Sequence, residues 1–244
     1  MPQLPKAILF DLDDTVIAAY GRPELAWAAV VAEFAGELGP LSQSEVVEAI
    51  GAAARTFWAD PERHRIWRQK MAAARRAIVA AGFDRLGGAG RPILSAEFQQ
   101  RLADRFSAYR NKSMRLFPDA HDTIDALRAR GVKLALMTNG AGAHQREKVV
   151  RFELTHRFDH IQIEGEHGFG KPEERAYLHA MQALGVTAQE TWMIGDNLEW
   201  EVEAPQRLGI YSIWIDVHGE GLPAESAIKP DRIIRSLTEL LPAE

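Results

Sequence analysis

Four short apolar runs constrain the fold of this chain most: Ala7 to Phe10, Lys133 to Met137, Thr191 to Ile194 and Tyr211 to Ile215. Each is apolar at nearly successive positions and is closed by polar residues or glycine. A strand with one wet face alternates apolar and polar residues. A near-continuous run therefore predicts a strand covered on both faces, as in a parallel sheet layered between helices. The segments between the runs carry helical punctuation. In "PDAHDTIDALRARG", Pro118 suits a first turn and Gly131 a C-terminal stop. Strand and helix in alternation predict an α/β protein, a Rossmann-like doubly wound and mostly parallel sheet with helices on both faces.

Residues 18–112 interrupt this alternation with Ala-rich helical stretches and no convincing strand. They are predicted to form an inserted helical domain, leaving 1–17 and 113–244 as the α/β core. Within the insertion, "SQSE" from Ser42 to Glu45 has capping-box spacing, and Asp60 before Pro61 offers an N-cap and a first helical position. Residues 83–92, "FDRLGGAGRP", read as a loop between helices. Trp27, Trp58 and Trp67 are expected to pack helices, and Arg22, Arg55, Arg63, Arg75 and Arg76 to lie on solvated faces.

A chain of 244 residues with 46% hydrophobic content can bury a substantial core. Its 29 basic and 34 acidic residues, a formal charge of -5, argue against bulk attraction to nucleic acid or an anionic membrane. With no cysteine there is no disulfide, thiolate nucleophile or cysteine zinc site. The opening "MPQLPKAILFDLDD" has only a four-residue apolar stretch, far short of a signal-peptide core, and "LAWAAVVAEFAGEL" is broken by Glu33 and Glu37. A soluble, cytoplasmic protein is expected.

Chemistry concentrates at the ends of the predicted strands. "ILFDLDDTV" crowds Asp11, Asp13 and Asp14 behind the first run. In an extended strand Asp11 and Asp13 share a face about 7 Å apart, too far to share a proton easily, so a small cation between them is expected. Magnesium, which takes oxygen ligands and keeps waters, suits such a place and leaves room for a substrate phosphate. Asp14 is expected in the turn with Thr15. "LALMTNGAG" ends a strand in Thr138 and Asn139 with Gly140 following. A hydroxyl, an amide and a free backbone N–H ahead of a helix make a cradle for phosphate oxygens. Lys171 precedes Pro172 on a turn, and Asp196 follows a buried strand with Asn197 and Glu201 beside it. In open α/β sheets, ligands bind beyond these carboxyl ends.

Two further patterns are weaker. His156 and His160 are four apart, like a zinc pair, but Arg157 stands where a metalloprotease has Glu, so solvated or locally bonded histidines are expected. "NGAGAHQ" could open a dinucleotide loop, yet Gln145 stands where the third glycine belongs.

"DLDDT", Thr138 of "LMTNG", Lys171 of "GKP" and "GDNLEWE" resemble, in order and context, the four motifs of the haloacid dehalogenase-like hydrolases, in the phosphatase branch with a helical cap inserted after the first motif. The resemblance spans about residues 6–216. It implies a Mg²⁺-dependent phosphatase of a small phosphorylated metabolite. Asp11 would be the nucleophile that forms an aspartyl phosphate, and Asp13 the general acid and base. The resemblance places Mg²⁺ on the Asp11 carboxylate, the Asp13 backbone carbonyl and Asp196. Lys171 would offset charge, while Thr138 and the Asn139 backbone orient phosphoryl oxygens. Where the family often has a second Asp in the fourth motif, this chain has Glu201. Either Glu201 holds a metal-bound water or Asn197 takes over that work. Pro205 shortly after implies a helix that is short or restarts there. A 2-haloacid dehalogenase shares the fold, but Asp13 and Asp196 speak against it. A phosphomutase and a non-catalytic protein that binds phosphate esters are the other readings.

Overall fold

The computed structural model describes residues 4–87 and 94–242. The chain divides into two compact units, one of residues up to Ala18 with those from Arg115 onward, the other Ala19–Met114.

The first unit is built on eight strands: β1 Ala7–Phe10, β2 Ile17–Ala18, β3 Arg115–Leu116, β4 Lys133–Thr138, β5 His160–Ile163, β6 Thr191–Gly195, β7 Tyr211–Ile215 and β8 Arg232–Ile234. Six form one sheet in the order β5-β4-β1-β6-β7-β8, parallel throughout, while β2 and β3 make a separate antiparallel ribbon. The chain starts in the middle, moves outward through β4 and β5, then returns across β1 to β6, β7 and β8. This reversal makes the carboxyl end of β1 the topological switch point, the usual ligand crevice of such sheets.

The four predicted runs coincide with β1, β4, β6 and β7 to within one residue. The two edge strands β5 and β8 were not foreseen. "HIQI" and "RII" are only partly buried and carry His, Gln and Arg, so neither shows the two-sided apolar run of an inner strand.

All four β1 residues are fully buried. Leu9, Ala135, Met137 and Met193 pack with Ala176, Tyr177, Ala180, Met181 and Leu184 of the helix Glu174–Leu184. Each large apolar side chain buried there contributes about 1.5–3 kcal/mol.

The helix Ala120–Ala129 starts two residues later than expected. Asp119 is its N-cap, at φ 62°, so Pro118 precedes the helix instead of entering its first turn. Gly131 stops it as predicted. At φ 82° its N–H donates to the Arg128 carbonyl and the Val132 N–H to that of Leu127, the paired bonds of a Schellman motif.

The second unit is helical: Pro23–Glu33, Gln43–Trp58, Pro61–Trp67, Met71–Gly87 and Ala96–Ser113. Ser42 and Glu45 form the expected capping box, and Asp60 accepts the Arg63 N–H with Pro61 at the helix start. The helix through Gly87 overrides the loop expected from residue 83, because Phe83 is buried in the helical core; residues 88–92 of that loop lie outside the described residues. Trp27 stacks on Phe106 with centroids 3.6 Å apart and ring planes 7° from parallel. Trp58 and Trp67 meet Phe57 edge-on. Arg22, Arg55, Arg63 and Arg76 are exposed, but Arg75 is buried with its guanidinium over the Phe106 ring, contrary to the solvated face expected for it. Cation–π attraction replaces part of the hydration it gives up. Among the described residues no helix is long and apolar enough to cross a membrane.

Candidate active site

The strand ends and the turns after them bring Asp11, Asp13, Thr138, Lys171 and Glu201 close together. β1 stops at Phe10, and the Asp11 N–H donates to the Ile194 carbonyl of β6, which fixes Asp11 just beyond the carboxyl end of the central strands. The chain then turns. Asp14 sits at φ 62° with its N–H on the Ile17 carbonyl, as expected of a turn residue.

Because the strand has ended, the two-residue alternation expected for Asp11 and Asp13 does not apply, and each carboxylate meets its own ammonium. Lys171 Nζ lies 2.5 Å from Asp11 Oδ1 and 2.7 Å from Glu201 Oε1, with Lys171 and Glu201 both 1% exposed. Lys148 Nζ donates to both Asp13 oxygens at 2.8 Å, and Gln145 Nε2 donates to Asp13 Oδ2 at 2.9 Å. Gln145 Nε2 also donates to Thr138 Oγ1, which ties the end of β4 to Asp13.

Lys148 and Gln145 were missed by sequence reasoning. They lie three residues apart on the buried face of the helix Gly142–Arg151, beside Val149. Two long polar residues at buried helical spacing were the available signal.

Asn139 grips the Lys171 backbone from both sides. Its Oδ1 accepts the Lys171 N–H at 3.0 Å and its Nδ2 donates to the Lys171 carbonyl at 2.6 Å. The side chain is thus committed to holding Lys171 in place. Its neighbour corrects an expectation: the Gly140 N–H, read as free, donates to Glu164 Oε2 at 2.9 Å. Gly170 allows this packing, since a Cβ there would sit 2.4 Å from Asn139 Oδ1.

The fourth motif is set by close packing. Glu201 lies across Gly195, where a Cβ would come within 2.1 Å of Glu201 Cγ, and its Oε2 accepts the Asn197 N–H at 2.9 Å. The extra methylene of Glu thus spans the glycine and reaches Lys171. Asn197 Oδ1 accepts the N–H groups of Glu199 and Trp200, so its side chain caps the turn that follows. That turn, Leu198–Glu203, is a π-helix, and a short helix Ala204–Arg207 restarts with Pro205 in its first turn. The Tyr177 hydroxyl donates to the Trp200 carbonyl at 2.5 Å and anchors it.

Electrostatically the site has an excess of carboxylates. Burial raises the Asp11 pKa, Lys171 pulls it back, and Asp13 adds to the rise. Burial lifts Glu201 to about 7, with Lys171 opposing and Asp11 assisting. Burial would lower Lys171, but Asp11 and Glu201 outweigh it and hold the ammonium above its ordinary range. Asp196 sits open to solvent after β6, its carbonyl accepting the Trp214 indole N–H at 2.6 Å. Crowding by protein, then the like charges of Asp11, Glu201 and Asp14, push its pKa up. No ion pair to the Asp196 carboxylate is found among the described residues. An unpaired carboxylate facing other carboxylates is what a hard divalent cation with oxygen ligands would relieve, so the donor set fits Mg²⁺.

Comparison with known proteins agrees with this architecture. The family model for haloacid dehalogenase-like hydrolases matches residues 5–209. The chain is 34% identical over 195 residues to phosphoserine phosphatase of Thermus thermophilus, covering 80% of this chain and 70% of that one. It is 27% identical over 216 residues to glyceraldehyde 3-phosphate phosphatase of Methanopyrus kandleri, covering 86% and 83%. Among solved structures, the HAD-hydrolase YfnB of Bacillus subtilis bound to magnesium shares the fold with a TM-score of 0.71 at 21% identity, over 98% of this chain and 97% of that one. The chain belongs to the haloacid dehalogenase-like hydrolases.

Proposed function

We propose that this protein is a Mg²⁺-dependent phosphatase that hydrolyses a small phosphorylated metabolite through an aspartyl-phosphate intermediate. The observation that carries the reading is the buried Asp11–Lys171–Glu201 cluster at the sheet's switch point, with Asp13 held separately by Lys148 and Gln145. The phosphatase names of the two relatives support it.

An Asp11 oxygen attacks phosphorus, and the bond to the substrate's alcohol oxygen breaks. Asp13, protonated and so released from the Lys148 ammonium that holds its carboxylate, delivers that proton to the leaving oxygen. Water then attacks the aspartyl phosphate, Asp13 takes the water's proton, and phosphate and free Asp11 result. Lys171 offsets the repulsion between the Asp11 carboxylate and an anionic substrate, and Thr138 with the Asn139 backbone orients the phosphoryl oxygens. The Asp11 carboxylate, the Asp13 carbonyl and Asp196 would hold Mg²⁺, which supplies charge neutralisation at the phosphoryl group. Glu201 serves the site chiefly by fixing Lys171. The helical unit is assigned the part of a cap that selects the substrate.

Hydrolysis of p-nitrophenyl phosphate tests the reading. Turnover should require Mg²⁺, and Asp11→Asn should lower kcat by on the order of 10³-fold or more. Metal-independent turnover, or a fully active Asp11→Asn variant, overturns it.

A further inference from the structure

At the β5 edge of the sheet, on residues the phosphatase chemistry does not use, three histidines converge. His160 opens β5, His167 ends the short helix Glu164–His167, and His179 lies in the helix Glu174–Leu184. Their ring centroids are 5.2 Å (His167 and His179), 5.3 Å (His160 and His179) and 6.1 Å (His160 and His167) apart. One ring nitrogen from each lies within 4.8 Å of the other two. We propose that His160, His167 and His179 form a binding site for a late first-row divalent metal, with Zn²⁺ the best fit.

The hydrogen bonds around the rings support ligation. Gln162 Nε2 donates to the Ala176 carbonyl at 3.0 Å, which orients Gln162 Oε1 as an acceptor. His179 Nδ1, 2.9 Å from that oxygen, must therefore carry the proton, leaving a lone pair on Nε2. His167 Nδ1 lies 3.1 Å from the Ile163 carbonyl, which can only accept, so its Nε2 is likewise a bare lone pair. An outer N–H on an amide or carbonyl oxygen is the usual way proteins aim a metal-binding imidazole. His160 Nε2 is buried and meets no hydrogen-bond partner among the described residues. A buried polar nitrogen without a partner is costly, and a metal ion would satisfy it.

The surroundings leave the rings available as ligands. Nearby charges have partners of their own: Glu166 pairs with Arg146, and Glu173 with Arg175, whose guanidinium lies over Phe169. Phe169 packs edge-on against His167 and His179 and walls the cluster on one side. Tetrahedral Zn²⁺ with bonds of about 2.0–2.1 Å needs ligand nitrogens about 3.4 Å apart. Ring rotation would have to bring the nitrogens in from within 4.8 Å, and water or an exogenous ligand would complete the shell. Imidazole donors select Zn²⁺, Ni²⁺ or Cu²⁺ over Mg²⁺. A metal here would also pin the short helix whose Glu164 holds the Gly140 N–H and whose Gly165 N–H donates to the Gly140 carbonyl.

The test uses the full chain, without a histidine tag, dialysed against Zn²⁺ in saturating Mg²⁺. One Zn²⁺ per chain should be retained. X-ray absorption of that sample should show a nitrogen shell with imidazole scattering, a readout that needs no variant. His167→Gln and His179→Gln should each weaken retention at least tenfold while p-nitrophenyl phosphate turnover persists, and His160→Asn should do the same. Asp11→Asn should retain Zn²⁺ fully, which separates this site from the carboxylate cluster. No retained Zn²⁺, an oxygen-only shell, or equal retention in the histidine variants overturns the proposal.

Discussion

The two units place their opposite charges differently. In the α/β unit, Lys171 meets Asp11 and Glu201, and Lys148 meets Asp13, with both lysines almost wholly buried. In the helical unit, Arg105 grips Glu33 through two bonds of 2.6 and 2.7 Å and Arg76 grips Asp104 through two of 2.8 Å, all on the surface. Exposed pairs add up to about 1 kcal/mol each. Buried pairs give up hydration that their attraction repays only in good geometry, and removing one partner strands the other. The helical unit stands on apolar and aromatic packing, whereas the α/β unit keeps ionic groups where they cost stability, at the end of the sheet where chemistry is expected.

That contrast can be broken from either side. Trp27→Ala should produce the largest loss of stability, about 3–5 kcal/mol in denaturant unfolding, because it removes a ring stacked inside the helical core. Lys148→Met should lower kcat for p-nitrophenyl phosphate by about 10²-fold with KM little changed, since its ammonium holds the Asp13 carboxylate through both oxygens. A change confined to KM would show that Lys148 binds substrate and does not position Asp13.

A third test concerns the cost of the buried acid. In chelator, Glu201 stays protonated up to about pH 7 when folded but ionises near 4.5 when unfolded. The folded state then holds the extra proton between those values, so unfolding free energy should fall as pH rises from about 4.5 to about 7. Glu201→Gln should flatten that slope in a urea titration repeated across pH. The smallest effect belongs to the surface: Arg105→Ala should change stability by less than about 1 kcal/mol, and less still at high salt.

Much of the fold was legible in the sequence because inner strands announce themselves. β1, β4, β6 and β7 are buried on both faces over nearly their whole length and have to be largely apolar. Edge strands carry no such requirement, which is why His160–Ile163 and Arg232–Ile234 stayed hidden. Local punctuation also read well where one residue does the work, as with Gly131 and the Ser42 capping box. It failed at Pro118, where Asp119 in a left-handed conformation displaced the helix start, and at residue 83, where core burial of Phe83 overrode loop composition.

The sequence by itself determined which side chains follow the inner strands: Asp11, Asp13, Thr138 and Asp196 come from run boundaries, whereas Lys171 was read from its turn before Pro172. It also excluded thiol chemistry. Only the tertiary structure decided their partners. Asp13 meets Lys148 across 135 positions, Asp11 meets Lys171 across 160, and Glu201 reaches Lys171 because Gly195 leaves room beneath it. The same holds for the histidines. His156 exposes its side chain, and His160 instead joins His167 and His179, from three elements no spacing rule would connect. Strand periodicity is a local property that a sequence encodes directly, whereas pairing between distant side chains depends on sheet order and on small residues that permit close approach, and these exist only once the chain has folded.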